Sequence, residues 1–308
     1  MRVAVAVSGG VDSAVSALLL KNRGLKVTGV YMRNWSECAT SDPMRSSALE
    51  ICTKLKIPFI SLNFEKEYWI QVFAPFLEAI EQGHTPNADI NCNSKIKFGA
   101  FTSKVISELG VDKVAFGHYA QTITTPNGTS LRKGFIINPA VDATKDQTYF
   151  LSQVKSDILD RVLFPVGHLL KSTVKQLAID NGLHRVAAQR ESMGICFIGK
   201  NNFGEFVGEY LDKMPGVFVN SKGEILGAYA CSKVYTIGQR VRVSGMQTRL
   251  FCAQKHSDRI VVVPQGHVLL MARSMIVEFE WATHAPQAGA IYHVKYRYRQ
   301  DEGLISLS

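Results

Sequence analysis

No stretch of this 308-residue chain reaches the roughly 18 consecutive apolar residues that a membrane-spanning helix needs. No Cys-x-x-Cys occurs. The six cysteines, Cys38, Cys52, Cys92, Cys196, Cys231 and Cys252, are scattered. That pattern argues against a zinc ribbon, an iron–sulfur cluster and a secreted disulfide scaffold. They read as thiols, most of them packing residues. Internal repeats and low-complexity tracts are also missing. An Arg- and Ser-rich presequence is not visible, and an apolar run already begins at Val3, which leaves no room for a signal peptide. Acidic residues are the scarcer sign, 26 against 35 basic, for a formal charge of +9. A basic balance favours a polyanionic partner such as nucleic acid.

What the chain does have begins at its start. Val3-Ala4-Val5-Ala6-Val7 leads into Ser8-Gly9-Gly10-Val11-Asp12-Ser13, and an Ala/Leu-rich run follows to Leu20. This is strand, glycine turn, helix. Glycines let backbone N–H groups approach an anion, and a helix N-terminus adds a positive field. Asp12 can sit near a metal or a phosphate, and Ser13 can cap the helix or donate to a phosphate. Gly-Lys-Ser/Thr is absent, as is G-x-G-x-x-G at this turn, so neither a Walker loop nor a Rossmann fingerprint is present. The loop resembles the pyrophosphate-binding loop of ATP pyrophosphatases, which split ATP into AMP and pyrophosphate while adenylating a substrate.

The first half alternates strand and helix patterns. Strands are expected at Lys26–Met32, Pro58–Leu62 and Val111–Gly117. Helices are expected at Pro43–Leu55, at Glu67–Glu81 with a kink at Pro75, and at Lys97–Leu109, ended by Gly110. That alternation predicts an α/β fold, a doubly wound parallel sheet with ligands at the strand carboxyl ends. Met32 and Gly117 are there, placed to hold adenine or ribose. Thr124–Gly134 reads as polar, with a turn at Pro126-Asn127-Gly128. Short helices follow at Lys171–Asn181 and Asn202–Leu211. Strands then dominate: Val217–Val219, Val234–Thr236, Val241–Val243, Ile260–Val263 and Ile291–Tyr298. Three domains are expected, a catalytic one over 1–165, a small mixed connecting one over 166–240 and a β-rich one over 241–308.

Two cysteines have unusual surroundings. Cys92 falls in a polar stretch, Thr85 to Asn93, read as a loop ahead of the helix at Lys97. A helix N-terminus and nearby Lys95 and Lys97 both favour a thiolate. Asp89, three residues earlier, can act as a base or hold a substrate edge. Cys196 lies between Gly194 and Gly199, in an open segment.

Several further segments match in order: Asn34-Trp35, Gly83–Asn93 with Ile96-Lys97-Phe98, Gly117-His118-Tyr119-Ala120, Lys145–Leu151, Phe164–Gly167, Gly194–Gly199, Tyr235–Arg240 and Arg297-Tyr298-Arg299-Gln300. With the Ser8–Ser13 loop, they make the chain resemble the tRNA 2-thiouridylase family, which places sulfur on the 2-position of the wobble uridine. Glu191–Gly194 and Gly199–Phe203 look closer to its mitochondrial, eukaryotic branch, which implies a mitochondrial setting, or the cytoplasm if the chain is bacterial. Two departures stand out. Asn87-Ala88-Asp89 replaces the family's Asn-Pro-Asp, and the sequence stops at Ser308, which implies a shortened C-terminal barrel.

The resemblance implies that ATP, with Mg²⁺, binds at Ala6, Val7, Ser8, Gly9, Gly10, Val11, Asp12, Ser13, Met32 and Gly117. No metal is fixed by the protein beyond a Mg-ATP contact at Asp12. Cys92 is the implied nucleophile and Cys196 the persulfide carrier, with Asp89 as acid/base. Asn87, Ala88 and Asp89 would face the target base. His118, Lys145, Asp146, Gln147, Arg297 and Tyr298 would meet tRNA at its anticodon loop. The implied tRNAs are those for Lys, Glu and Gln, and sulfur would come from a relay fed by a cysteine desulfurase. Amide-forming synthetases share the ATP loop but need no paired cysteines. A non-catalytic tRNA-binding relative with a degenerate C-terminus is the alternative from another class.

Overall fold

The structure is a computed structural model that describes residues 1–35, 42–126, 133–189, 203–272, 274, 287–295, 297–298, 300 and 302–306. They fall into two compact units. One comprises Met1–Val72, Asp89–Met193 and Glu280–Ser308; the other Phe73–Ala88 and Gly194–Phe279.

In the first unit, β-branched segments covered on both faces become parallel strands. In β1 (Arg2–Ala6), Val3, Ala4 and Val5 are wholly buried. The other strands of its sheet are β2 (Lys26–Arg33), β3 (Phe59–Asn63), β4 (Lys113–Ala115) and, after a hairpin of β5 (Gln121–Pro126) and β6 (Lys133–Asn138), β7 (Val162–Leu163). The order is β3-β2-β1-β4-β7, with every pair parallel. The chain builds outward from β1 in one direction, then returns to build in the other. The switch point therefore lies between β1 and β4, where a ligand crevice opens at the carboxyl ends. Helix α1 (Val11–Asn22) starts at that point and buries Val11, Ala14, Val15, Ala17, Leu18 and Leu20. Helix α2 (Pro43–Lys54) begins where Asp42 accepts from the backbone N–H groups of Met44 (3.1 Å) and Arg45 (2.9 Å), with Pro43 in the first turn.

The expected doubly wound parallel sheet is present, but several elements differ from expectation. The segment carrying Cys92 is helical. Ala88–Asn91 is α, Cys92–Phe101 is π and Thr102–Leu109 is α, ended by Gly110 at φ 57°. Ala88, Cys92 and Ile96 are buried four residues apart, a helical period that the intervening Asp and Asn residues obscured. The expected kink near Pro75 takes the form of a π turn at Trp69–Phe73, just before the proline that lacks an N–H. The polar segment after Ala120 supplies the paired strands β5 and β6, with Gln121 opposite Asn138, and Asn127 and Gly128 of the expected turn lie outside the described residues. Val234 belongs to a 3₁₀ turn, Ser232–Val234, instead of a strand.

The second unit is strand-rich. Its strands are β8 (Gly216–Val219), β9 (Ile225–Tyr229), β10 (Arg240–Val241), β11 (Leu250–Lys255) and β12 (Arg259–Pro264). They run in the order β10-β11-β12-β8-β9, antiparallel except between β12 and β8. Phe218, Tyr229, Leu250, Cys252 and Ile260 fill its core. Burial pushes the Cys252 thiol up to about 11, and Cys52 in the first unit likewise. Both are resting thiols at neutral pH, as packing residues should be. A last hairpin, β13 (Ile291–Val294) with β14 (Gly303–Ser306), belongs to the first unit. No described helix is long and apolar enough to cross a membrane.

Gly167 lies directly on the chain at Ala120. A β-carbon there would overlap the backbone oxygen of Ala120. Gly167→Ala should therefore destabilise the chain by at least about 1–3 kcal/mol, as overpacking against rigid backbone does. The denaturation midpoint should drop; an unchanged midpoint would show that the two segments separate freely.

Candidate active site

The loop after β1 is shaped by contacts that leave no room for side chains. Gly9 has φ 87°, and a β-carbon on it would lie 2.6 Å from the Met44 backbone oxygen. The Ser47 hydroxyl donates to the Gly9 carbonyl at 2.9 Å. Ser13 is buried and closes the loop from within. Its Oγ donates to the Gly10 carbonyl (2.9 Å), accepts from the Ser8 N–H (3.2 Å) and lies 3.2 Å from the Ser8 hydroxyl. Ala6, Val7 and Val11 form the inner side of the turn, with Val7 and Val11 in the core. Gly10 is the N-cap of α1 and no side chain caps the helix there. The first-turn N–H groups of α1 therefore keep their capacity for an anion. A polyphosphate fits this cradle.

Asp12 is held differently. Lys171, from the start of the helix Lys171–Asp180, donates to both carboxylate oxygens of Asp12, at 2.7 and 2.8 Å. The Tyr119 hydroxyl donates to Oδ1 at 3.0 Å. The Lys171 side chain is 10% exposed and that of Asp12 31%, so the cation is the more desolvated partner of the pair. Both carboxylate oxygens of Asp12 are thus hydrogen-bonded within the protein, and the described residues contain no group of three or more His, Cys, Asp and Glu suited to a metal. Lys171 is itself placed by Asp142, whose carboxylate accepts from the Lys171 backbone N–H at 2.9 Å. The Thr144 hydroxyl, and then that N–H, hold the Asp142 carboxyl below its usual range.

Gly117-His118 links this loop to the helix that carries Cys92. A β-carbon on Gly117 would lie 2.7 Å from the Ser13 nitrogen and 2.9 Å from the Asp12 carbonyl carbon. The end of β4 therefore lies directly on the first turn of α1. The next residue turns the other way. The His118 ring packs among Phe98, Phe116 and Phe164. Burial, with the Lys97 charge adding to it, drives its pKa well below the usual histidine value, so it is neutral. His118 Nε2 lies 3.5 Å from the Lys97 ammonium, which donates to Asn93 Oδ1 at 2.9 Å. Asn93 is buried and donates to the Phe150 carbonyl at 2.9 Å.

Cys92, adjacent to Asn93, is buried, and the Asn34 amide approaches its sulfur at 3.8 Å. Burial raises the Asp89 carboxyl above its usual value, and Lys97 opposes the rise. Asn87 and Ala88 fall in the other unit, and Cys196 and Cys38 lie outside the described residues. Met32 pairs with Leu62 near the carboxyl end of β2.

The Lys145–Gln147 segment is tied to Tyr119, the residue after His118. The Lys145 N–H donates to the Asp142 carbonyl at 3.0 Å. Asp146 accepts from the Ala140 N–H (2.7 Å) and from the N–H and hydroxyl of Thr148 (3.1 and 2.5 Å). Gln147 brackets Tyr119. Its side-chain oxygen accepts from the Tyr119 N–H at 3.0 Å, and its own N–H donates to the Tyr119 carbonyl at 2.9 Å. Tyr298, next to Arg297, packs on Phe150 with ring centroids 4.4 Å apart. The expected residues Ser8–Ser13, Gly117, His118, Asp146, Gln147 and Cys92 thus join one connected set in the first unit. Sequence reasoning singled out Lys97 for its charge near Cys92 and missed Lys171, Tyr119 and Asn34 as members. The last two lay within segments already singled out. Lys171 carried no local signal.

Comparison with known proteins agrees with this arrangement. Residues 1–200 match the model described as tRNA methyl transferase HUP domain, and residues 204–264 match the tRNA methyl transferase PRC-barrel domain. The chain is 39% identical to mitochondrial tRNA-specific 2-thiouridylase 1 of Mus musculus, over 98% of this chain and 80% of that one. It is 38% identical to the Homo sapiens protein of the same name, over 98% and 79%. With tRNA-specific 2-thiouridylase MnmA of Alkaliphilus oremlandii the identity is 41%, over 98% and 85%. The mitochondrial and bacterial relatives are thus equally similar. The model descriptions name a methyl transfer, whereas the relatives, aligned over nearly the whole chain, are named for thiolation. The chain belongs to the tRNA-specific 2-thiouridylase family.

Proposed function

We propose that this chain replaces the 2-oxygen of the wobble uridine of tRNA with sulfur, consuming ATP. The observation that carries the reading is the Gly117-His118 bridge. One residue abuts the turn after β1 and the next lies 3.5 Å from Lys97, on the helix that Cys92 opens. This supports reading the glycine turn and the Cys92 helix as two parts of one site.

A carbonyl oxygen is a poor leaving group. Attack of the uridine O2 on the α-phosphorus of ATP releases pyrophosphate and converts that oxygen into part of AMP, a good leaving group. The α1 N-terminus stabilises phosphate charge there. Cys196 carries a persulfide, supplied by a relay that a cysteine desulfurase feeds. Its terminal sulfur forms a bond to C2 and AMP departs with the oxygen. The Cys92 thiolate then attacks Cys196 Sγ and breaks the sulfur–sulfur bond. The transferred sulfur keeps that electron pair and remains on the base as the thiocarbonyl, while Cys92 and Cys196 form a disulfide. This is ordinary thiol exchange, and an external thiol must reduce the disulfide before the next turnover. Asp89, whose carboxyl burial raises above its usual value, serves as the acid/base. Asn87–Asp89 face the target base, which the anticodon loop can present unstacked. The tRNAs proposed are those for Lys, Glu and Gln. Lys145, Arg297 and Tyr298 contact tRNA.

The ATP reading is tested by Asp12→Ala. It removes the anchor of Lys171 beside the phosphate cradle and should slow tRNA-dependent pyrophosphate release by roughly 10²–10³-fold. Circular dichroism should stay native. Release at the wild-type rate would overturn the assignment of the loop.

The sulfur reading is tested by Cys92→Ser and Cys196→Ser. Each should keep adenylation and lose multiple-turnover 2-thiouridine formation from a persulfide donor, read by nucleoside mass spectrometry. Wild-type protein after one turnover without reductant should yield a Cys92–Cys196 disulfide on peptide mapping. Full turnover by either variant would rule out the two-cysteine mechanism.

A further inference from the structure

Cys92 does not sit where a helix end could act on it. The helical segment starts at Ala88, one turn earlier, and the backbone of Asn91 just before the thiol is already helical, at φ −64° and ψ −42°. The field of a helix N-terminus falls off within the first turn, so little of it reaches the sulfur. A polar group from another element does reach it. Asn34 follows directly on β2, and its side-chain Nδ2 lies 3.8 Å from Cys92 Sγ, within hydrogen-bonding range of a sulfur acceptor.

Asn34 is held from both sides. Before it, the Arg33 carbonyl accepts from the Phe64 N–H at 2.8 Å and the Arg33 guanidinium pairs with Glu65 at 2.8 Å. After it, the Trp35 ring stacks on Trp69, with centroids 5.8 Å apart and planes 13° from parallel, and meets the buried Tyr68 edge-on. The backbone at Asn34 is thereby fixed, and the fold directs its amide. The other end of that amide is not satisfied: Oδ1 is buried and accepts no hydrogen bond from the described residues. A buried acceptor left open is costly. An amide placed for its own satisfaction would have its oxygen paired. Here the oxygen is left open and the N–H is aimed at sulfur. The charged groups on these elements are Arg33, paired with Glu65, the exposed Lys95, and Asp89 and Lys97, which act on one another.

We propose that Asn34 is a positioning residue for sulfur transfer. Its amide N–H orients the Cys92 sulfur and favours the thiolate over the thiol. A hydrogen bond to an ionised acceptor is roughly twice as strong as one to a neutral acceptor, so the contact tightens once the proton has left. The thiolate is the species that attacks a sulfur–sulfur bond. The proposal rests on the reading of Cys92 as a working thiol.

The experiment titrates the ultraviolet thiolate absorbance of Cys92 in the full chain. At each pH, and in each background, it is the difference between protein with Cys92 and protein carrying Cys92→Ser. Asn34→Ala removes the donor. It should move the half-maximal signal to higher pH by roughly half to one unit, a thiolate population roughly three- to tenfold smaller below the midpoint. Asn34→Asp keeps the shape but, ionised, has no N–H to give. It should move the midpoint the same way and at least as far, a second route should Asn34→Ala fail to fold; thermal melts report on folding in each case. A midpoint that stays in place or falls in either folded variant would overturn the proposal. Sulfur transfer that persists in Cys92→Ser would instead overturn the reading of Cys92 itself, whatever the titration shows.

Discussion

Between the end of β4 and the first turn of α1 there is no space for a single β-carbon. Gly117 lies so close to Ser13 and Asp12 that any other residue would force strand and helix apart. This contact places the rest of the site. His118 and Tyr119 follow directly, and their side chains leave in different directions, one to Lys97 and the other to Asp12. Gln147 then grips the Tyr119 backbone from both sides, which ties the Lys145–Gln147 segment to the same point. Strand order matters because β1 and β4 are neighbours. That adjacency brings a glycine turn and a Gly-His-Tyr run to one crevice.

The two lysines of the site are set in different electrostatic environments. Lys171 is matched to Asp12 through both carboxylate oxygens, a resting pair whose charges cancel locally. Lys97 donates to the neutral Asn93, lies 3.5 Å from His118 and acts electrostatically on the Asp89 carboxyl. Histidine 118 can play its part only because burial keeps it neutral; protonated, it would repel the ammonium it faces. The phenylalanine cage around it is therefore part of the site's electrostatics as well as of the core.

The parallel sheet and most of its helices were legible in the sequence, because buried parallel strands read as continuous apolar β-branched runs such as Val3–Val7. The glycine turn was legible because its constraints are local. The Cys92 segment was misread as a loop, since Asn87, Asp89, Asn91 and Asn93 carry turn-type chemistry while their buried partners Ala88, Cys92 and Ile96 are widely spaced. A π helix shifts the period away from 3.6, which hides it from a helical template. Val234–Thr236 looked like a strand by composition, yet tertiary context gave Val234 a 3₁₀ turn. Lys171 was invisible because its role comes from an element far along the chain, and nothing in Leu170-Lys171-Ser172 distinguishes it from a surface lysine. The second cysteine, Cys196, lies outside the described residues, so its reading still rests on its sequence context.

The Asp12–Lys171 pair spans 159 residues of sequence. During synthesis the glycine turn leaves the ribosome early, and its aspartate waits for a partner made much later. An emerging N-terminal segment has the first strand and helix but not the cation that settles Asp12 in its final place. Closing so long a loop is slow relative to local folding. The nascent chain therefore cannot complete the surroundings of Asp12 from its first hundred residues, roughly the span in which many domains are complete. The cation that settles Asp12 arrives only with the helix that begins at Lys171, so a shorter product would leave that carboxylate without its partner.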